Sequence, residues 1–216
     1  MSFAEYLQNN WRDVFDAFIV HIEISSVSAV ISIILAIPLG IMLTKHEKAS
    51  RYILAIAGII QTIPGLVMLG IGLLLFGLGG RPAVIVLVAY AILPIMQNTY
   101  TGIKETDDLY VEAAKGIGMS AFQVLFKIEI PLALPAIVAG IRLSVVYIIS
   151  WATMAALIGA GGLGDLIWTG LSSYDTNMIL AGALPASLLS IVSGLAIDFI
   201  HTAVTPKPLR VKGGAS

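Results

Sequence analysis

The chain has 216 residues, of which 58% are hydrophobic and 12% charged, with a formal net charge of −1. So little charge cannot cover the surface of a soluble domain of this size, and a mean hydropathy of +0.96 agrees, so the composition excludes an ordinary soluble fold and indicates an integral membrane protein. The lack of cysteine excludes disulfides, thiolate metal sites and thiol nucleophiles together.

The opening stretch carries Glu5 before any basic residue and has no small-residue cleavage site ahead of the apolar run, which argues against a removable signal peptide. Trp11, Val14, Phe15 and Phe18 recur at helical spacing opposite Arg12, Asp13 and Asp16. Residues 1–20 therefore read as an external interfacial helix leading into the first span, with a frayed terminus as the alternative. Five apolar runs then follow that can cross a bilayer, at about 20 residues per crossing: Ile24 to Leu43, Ile53 to Leu75, Ala83 to Ile103, Pro135 to Ala156 and Asn177 to Ile200. The expected fold is an all-α, five-span membrane domain over residues 21–202.

Basic residues choose the orientation. Lys45, Lys48, Arg51, Lys104, Lys115, Lys127, Lys207, Arg210 and Lys212 all fall on one side, while the other has Arg12 and Arg81 among Glu5, Asp13, Asp16, Asp165 and Asp175. The positive-inside rule places the N-terminus outside and the C-terminus in the cytoplasm.

Prolines mark the middles of three spans: Pro64 in the second, Pro94 in the third and Pro185 in the fifth. Each frees a carbonyl that lipid cannot satisfy, so either the spans enclose a solute path or the prolines kink them for packing. Gln61 and Thr62, one turn before Pro64, and Asn98 in the third span are candidate lining residues on the first reading and helix-stitching residues on the second. Arg142 and Asp198 lie on the cytoplasmic side of the fourth and fifth spans. An unpaired arginine at the bilayer centre costs roughly 2.5–3.5 kcal/mol on insertion scales, so the two are expected to approach each other or nearby carbonyls. Tyr147 and Trp151 share a helix face, a spacing that more often serves packing than a cation cage.

The longest polar interruption, Asp107 to Pro135, lies between the third and fourth spans on the cytoplasmic side, with two short helices expected at 106–130. Thr106, Asp107 and Asp108 supply an N-cap and first-turn negative charge, Leu109 to Lys115 reads as helix, and Gly116 and Gly118 stop it. Ser120 with Gln123 forms a capping box for a second helix, Ala121 to Ile128, which Pro131 and Pro135 are expected to close. On the external side, Gly159 to Asp175 opens with glycines suited to tight turns, and Asp165 is a candidate cap for a short helix carrying Leu166, Ile167 and Trp168. Residues 203–216 read as a cytoplasmic basic tail able to touch anionic lipid.

Catalytic signatures are absent. His21, His46 and His201 fall in three separate places and form no spaced metal set. No phosphate loop ending in Gly-Lys-Ser or Gly-Lys-Thr and no G-x-S-x-G elbow occurs, so the chain is expected to be no enzyme and to hydrolyse no ATP by itself.

Glu112-Ala113-Ala114, then Gly118, then Ile128-Glu129-Ile130-Pro131 resemble the EAA signature of permease subunits of binding-protein-dependent ABC importers, with Ile130 standing where leucine is usual. The resemblance implies the type I ABC importer permease fold in a bacterial inner membrane. It implies too a coupling element, Glu112, Ala113, Ala114, Lys115, Gly116, Gly118, Ile128 and Pro131, seated in a groove of an ATPase partner. Gln61-Thr62-Ile63-Pro64, Leu93-Pro94-Ile95 with Asn98 to Ile103, and Gly159 to Gly164 look like the osmoprotectant branch, whose substrates are glycine betaine, carnitine, choline and proline betaine. The similarity runs over about residues 20–202. Its implied partners are two copies of an ABC ATPase carrying ATP and Mg, a second permease chain, identical or homologous, and an external substrate-binding protein. No cofactor is expected in this chain, and no nucleic acid. The nearest rival is a methionine or other small amino-acid importer of the same architecture; a membrane enzyme or an ATPase-free channel is the rival from another class.

Overall fold

The structure is a computed structural model and describes residues 2–204, so the tail residues Lys207, Arg210 and Lys212 lie outside it. Among the described residues the chain is all-helical: α1 (Phe3–Thr44), α2 (Glu47–Thr62), α3 (Gly65–Phe76), α4 (Gly80–Lys104), α5 (Asp108–Gly116), α6 (Ala121–Val124), α7 (Ile130–Ala155), α8 (Leu163–Ser173) and α9 (Thr176–Val204). A π turn, Leu125–Glu129, joins α6 to α7, and a 3-10 turn, Ala156–Ile158, ends α7.

The opening stretch and the first span run together as α1, with a kink at Asn10 that sets the first turns apart from the rest. Pro38 lies inside α1 without ending it, and the one departure from helical geometry is that at Asn10, whose side chain donates to the Tyr6 carbonyl at 2.9 Å. Ser2 begins it with a capping box closed by Glu5.

Four uninterrupted segments are long and apolar enough to cross a bilayer; the second apolar run instead breaks into α2 and α3, bent by 97°. The break falls at Ile63-Pro64, where the Pro64 ring cannot continue the α2 ladder. If the bent pair counts as one span, the crossings number five. Its ends lie at opposite ends of the bundle. Glu47 at the start of α2 meets Lys104 at the end of α4 with 3.2 Å between carboxylate and ammonium, whereas Gly79, just after α3, donates to the Ile158 carbonyl at 2.9 Å.

α4 is the central helix, packed along both α1 and α7. Small residues bring the backbones together: a Cβ on Gly140 would lie 2.8 Å from both the Pro94 carbonyl oxygen and Asn98 Cβ, and one on Gly40 would lie 2.7 Å from Thr99 Cβ. Membrane helices associate mainly through such close packing, because lipid gives no hydrophobic drive for it. Ile95, Ala91, Ile148, Ala152 and Ala155 fill the core between them.

Pro131 and Pro135 do not close the second short helix. From Ala121 to Ile158 the chain runs as one helical segment through both prolines, with Pro131 directly after the π turn. The wider π turn before it takes up the local mismatch.

Gly140→Val should therefore lower thermal stability in detergent by about 1–3 kcal/mol, the usual cost of overpacking. Gly58→Val, where a Cβ would meet nothing within 4 Å, should leave the melting temperature nearly unchanged.

Candidate functional site

Two places hold the residues that the sequence singles out. The first is the break between α2 and α3. Pro94 has no N–H to give the Tyr90 carbonyl one turn earlier, so that oxygen needs another donor. Gln61 Nε2 supplies it across the helix interface at 3.4 Å. In return the Tyr90 hydroxyl donates to the carbonyl of Ile63, the residue at the break itself. Trp151 packs against Gly65 so closely that a Cβ there would collide with its ring, and it stacks obliquely on Tyr90 with centroids 5.9 Å apart.

Gln61, Pro64 and Pro94 thus come together, joined through Tyr90. Thr62 is exposed and donates to the Ile59 carbonyl of its own helix at 2.7 Å. Asn98 Nδ2 donates to the Pro94 carbonyl at 2.8 Å, also within its own helix. Pro185 lies elsewhere: it lines a wholly apolar groove between the start of α1, with Phe3, Leu7 and Trp11, and α9. The linking residue, Tyr90, was not singled out from the sequence. Its position four residues before Pro94, which makes its carbonyl the orphaned one, is the signal that finds it.

The second place is the segment between α4 and α7. Asp107 Oδ1 accepts from Leu109 N at 2.9 Å and starts α5, as its side chain suits it to do. Gly118 takes a φ of +87°, the left-handed region, so the chain reverses there with no Cβ to strain. Ser120 and Gln123 close both arms of the capping box at 3.3 and 2.9 Å. The result is a paired-helix knob hanging from the Lys104 end of the bundle.

The knob has an inner and an outer side. Ala114 is 4% exposed and packs inward with Val124 and Leu125, whereas Glu112, Ala113, Lys115, Gly116 and Gly118 are exposed. Ile128 and Pro131 are half-buried where the knob joins α7. Large apolar side chains stand outward: Leu109 and Phe122 are each 68% exposed and Ile117 is 78% exposed, with Phe122 and Phe126 in ring contact at 4.4 Å. Exposed apolar surface of that kind, on the same segment as Glu112, Lys115 and Lys127, is surface suited to contact with a protein or a membrane.

Other expectations resolve locally. Arg142 and Asp198 do meet, Nε to Oδ1 at 2.7 Å. Trp151 packs on Tyr90 and not with Tyr147, which is exposed. Gly159, Gly161 and Gly162 all take positive φ, and α8 starts at Leu163 with Gly162 as its cap, so Asp165 sits in the first turn and is not the cap. Asp175 instead caps α9, accepting from Asn177 N at 2.9 Å. His21 is buried in α1 with Nε2 3.1 Å from the Ile149 carbonyl oxygen.

Comparison with known proteins agrees with this geometry. The family described as "Binding-protein-dependent transport system inner membrane component" matches residues 36–210. The glycine betaine/carnitine/choline transport system permease protein of Bacillus subtilis is 42% identical over 205 residues, covering 95% of this chain and 94% of that protein. The carnitine transport permease protein of Listeria monocytogenes is 38% identical, covering 97% and 96%. The choline transport system permease protein of Bacillus subtilis is 41% identical, covering 96% and 95%. Among solved structures, a chain of the MetNI methionine ABC transporter in an inward-facing conformation has a TM-score of 0.80 at 22% identity, covering 95% of this chain and 100% of that one, which establishes the shared fold.

Tyr90→Phe should leave the Ile63 carbonyl without its donor and destabilise the fold by about 1–3 kcal/mol, the penalty for an unsatisfied buried polar group. Thermal unfolding in detergent measures it. Tyr147→Phe, on an exposed ring, should change little.

Proposed function

The chain belongs to the family of inner membrane components of binding-protein-dependent transport systems, and from that premise we propose that it is the permease subunit of an ATP-driven importer of quaternary-amine osmoprotectants such as glycine betaine, carnitine and choline. The observation that carries the mechanism is the exposed knob of α5 and α6 at the basic end of the bundle, with an apolar outer face that nothing in this chain covers. The names of the relatives support the substrate class; the amino-acid importers among the solved structures share the fold only at 16–22% identity, so the methionine alternative has weaker support.

In this reading the bent pair α2–α3 is one broken span, five spans cross the membrane, the N-terminus is external and the C-terminus cytoplasmic. The enrichment of Lys45, Lys48, Arg51, Lys104, Lys115 and Lys127 at the knob end supports that orientation. Two permeases, identical or homologous, pair and seat their knobs on two copies of an ATPase, which holds ATP and Mg, while a binding protein delivers solute from outside.

The knob is suited to transmit force. α5 is tied to α4 by a short linker, and α6 passes through the π turn into α7 as one rigid segment, so movement of the knob moves the two helices that pack most closely on each other. Leu109, Ile117 and Phe122 supply apolar anchors to a groove, and Glu112 and Lys115 fix its orientation by charge. Gln61, Pro64 and Pro94, tied through Tyr90, form the point at which α2 and α4 are held while their ends move, and Thr62, Asn98 and Pro185 lie apart from it.

Uptake of labelled glycine betaine, challenged with excess choline, carnitine or methionine, tests the substrate class. Competition by the quaternary amines alone is expected, and competition by methionine alone would overturn the assignment. Coupling is tested by Gly118→Leu, which forces a side chain into φ +87° and should abolish solute-stimulated ATP hydrolysis while the chain still inserts. Ala113→Cys should crosslink to cysteines in the ATPase groove and Ala114→Cys, facing inward, should not; the reverse pattern would mean that the knob docks by its other side.

A further inference from the structure

Several of the polar groups that the knob and the midplane break leave unassigned share one seam. Along α7, Arg142, Val146, Ile149 and Thr153 follow one another at helical spacing, as do Ser187, Ser190, Gly194 and Asp198 along α9. The two rows meet. Arg142 Nε holds Asp198 Oδ1 at 2.7 Å, and a Cβ on Gly194 would lie 3.8 Å from Val146 Cγ2 and 3.9 Å from Arg142 Nη2. Further toward the glycine-linker end, a cavity of about 420 Å3 opens between the rows, walled by Ile149, Ser150, Thr153, Ser187, Ser190 and Ile191.

Two observations separate this seam from a lipid-facing surface. The Arg142 and Asp198 side chains are 50% and 47% exposed in the single chain, and a membrane span does not present a half-open ion pair to hydrocarbon, so this face meets water or a second polypeptide. Beside the cavity lies a second one of about 100 Å3, which shares Ile149 with the first and is lined by Ser25, Ser26 and Ser193. Ser25 is 6% exposed and its hydroxyl has no hydrogen-bond partner among the described residues. A buried, unpaired hydroxyl on a cavity of that size is a place for water.

The larger cavity has a chemical preference. The Ser150 hydroxyl donates to the Val146 carbonyl at 2.9 Å and the Thr153 hydroxyl to the Ser150 carbonyl at 2.7 Å. With their protons committed inside α7, these oxygens offer lone pairs. A wall of lone pairs interleaved with Ile149 and Ile191 suits a cation with apolar methyl groups and no N–H to donate, through weak C–H···O contacts and apolar packing.

We infer that the α7–α9 seam is a water-lined wall of the solute route, and that its hydroxyl cavity is a transient site for the quaternary ammonium head of the solute in transit. The cavity comes before the Arg142–Asp198 pair on the way from the glycine-linker end to the knob end, so solute meets the hydroxyls first and the ion pair second. This rests on the importer reading above and adds to it the residues that touch the cargo.

Because the chain has no cysteine, single cysteines report the site directly. In the assembled importer in proteoliposomes, Ser190→Cys is treated with the cationic trimethylammonium-ethyl methanethiosulfonate or the anionic sulfonatoethyl analogue, and modification of this chain is followed by mass. Leu188→Cys, on the apolar groove between α1 and α9, is the control. With rates normalised to a free thiol, Ser190→Cys should react faster than Leu188→Cys, react faster with the cationic reagent than with the anionic one because hydroxyl lone pairs face the cavity, and be protected by glycine betaine or choline. A rate as slow as that of Leu188→Cys, equal rates with both reagents, or no protection would each overturn the site. Ser187→Cys is read in the same way if Ser190→Cys fails to assemble. Solute-stimulated ATP hydrolysis by the unsubstituted assembly reports the importer reading separately, so the site can fail while that reading stands.

Discussion

A carbonyl set free by proline inside a membrane has no water to turn to, and the structure is arranged around meeting that demand twice in one place. Pro94 frees the Tyr90 carbonyl, and the donor it finds is Gln61 on α2. Pro64 ends α2 and leaves the Ile63 carbonyl open, and the donor it finds is the Tyr90 hydroxyl on α4. The two repairs are reciprocal: each helix supplies a donor to the other's open carbonyl. Trp151 of α7, set on Gly65, brings the third helix to the same point. A bundle joined by two hydrogen bonds and a ring at its weakest backbone positions keeps its helices in contact there while their ends remain free to move.

That arrangement bears on how force would cross the chain. At the Lys104 end, α4 and α7 are held together by glycine and alanine contacts at Gly102, Ala133 and Ala136, and the knob is spliced into both. The inner side of the knob is fixed by Ala114, Val124 and Leu125; the outer side spends large apolar side chains on no contact within the chain. A surface loop with no partner would bury Leu109 and Phe122 or replace them with polar residues, since exposed apolar area of that kind invites association.

Much of the knob was legible in the sequence because capping is local. Asp107 before Leu109, Ser120 with Gln123, and glycine at the reversal each act on backbone groups two or three residues away, and each does in the structure what its spacing implies. The continuation through Pro131 was not legible, because proline ends a helix in some contexts and is carried through one in others, and the π turn that decides between them has no sequence signature of its own. The second apolar run read as a single span with a proline at its middle, since hydropathy reports length and composition and carries no angle; Pro64 marked the place of the break but not its 97°. The midplane residues were grouped by depth along the membrane normal, which brought Pro185 into a set it does not join. Depth is one coordinate. Azimuth around the bundle, which separates Pro185 from Pro94, depends on how α9 packs against α1 and α8.

The same distinction explains why the hydroxyl seam escapes a reading of motifs. Ser150, Thr153, Ser187 and Ser190 are individually unremarkable in membrane helices, where serine and threonine commonly return their proton to the preceding turn, as Ser150 and Thr153 do. Their significance is collective and comes from what lies in line with them. An ion pair that is half open, on the same two helix faces, requires those faces to be wet or covered, and a buried hydroxyl without a partner lies against the same Ile149 wall. A polar residue in a span stitches helices when its hydrogen bonds close within the protein, as those of Gln61 do; it lines a route when they leave lone pairs over open volume. By that criterion the midplane break around Gln61 is where the bundle is held, and the seam between α7 and α9 is where it gives passage.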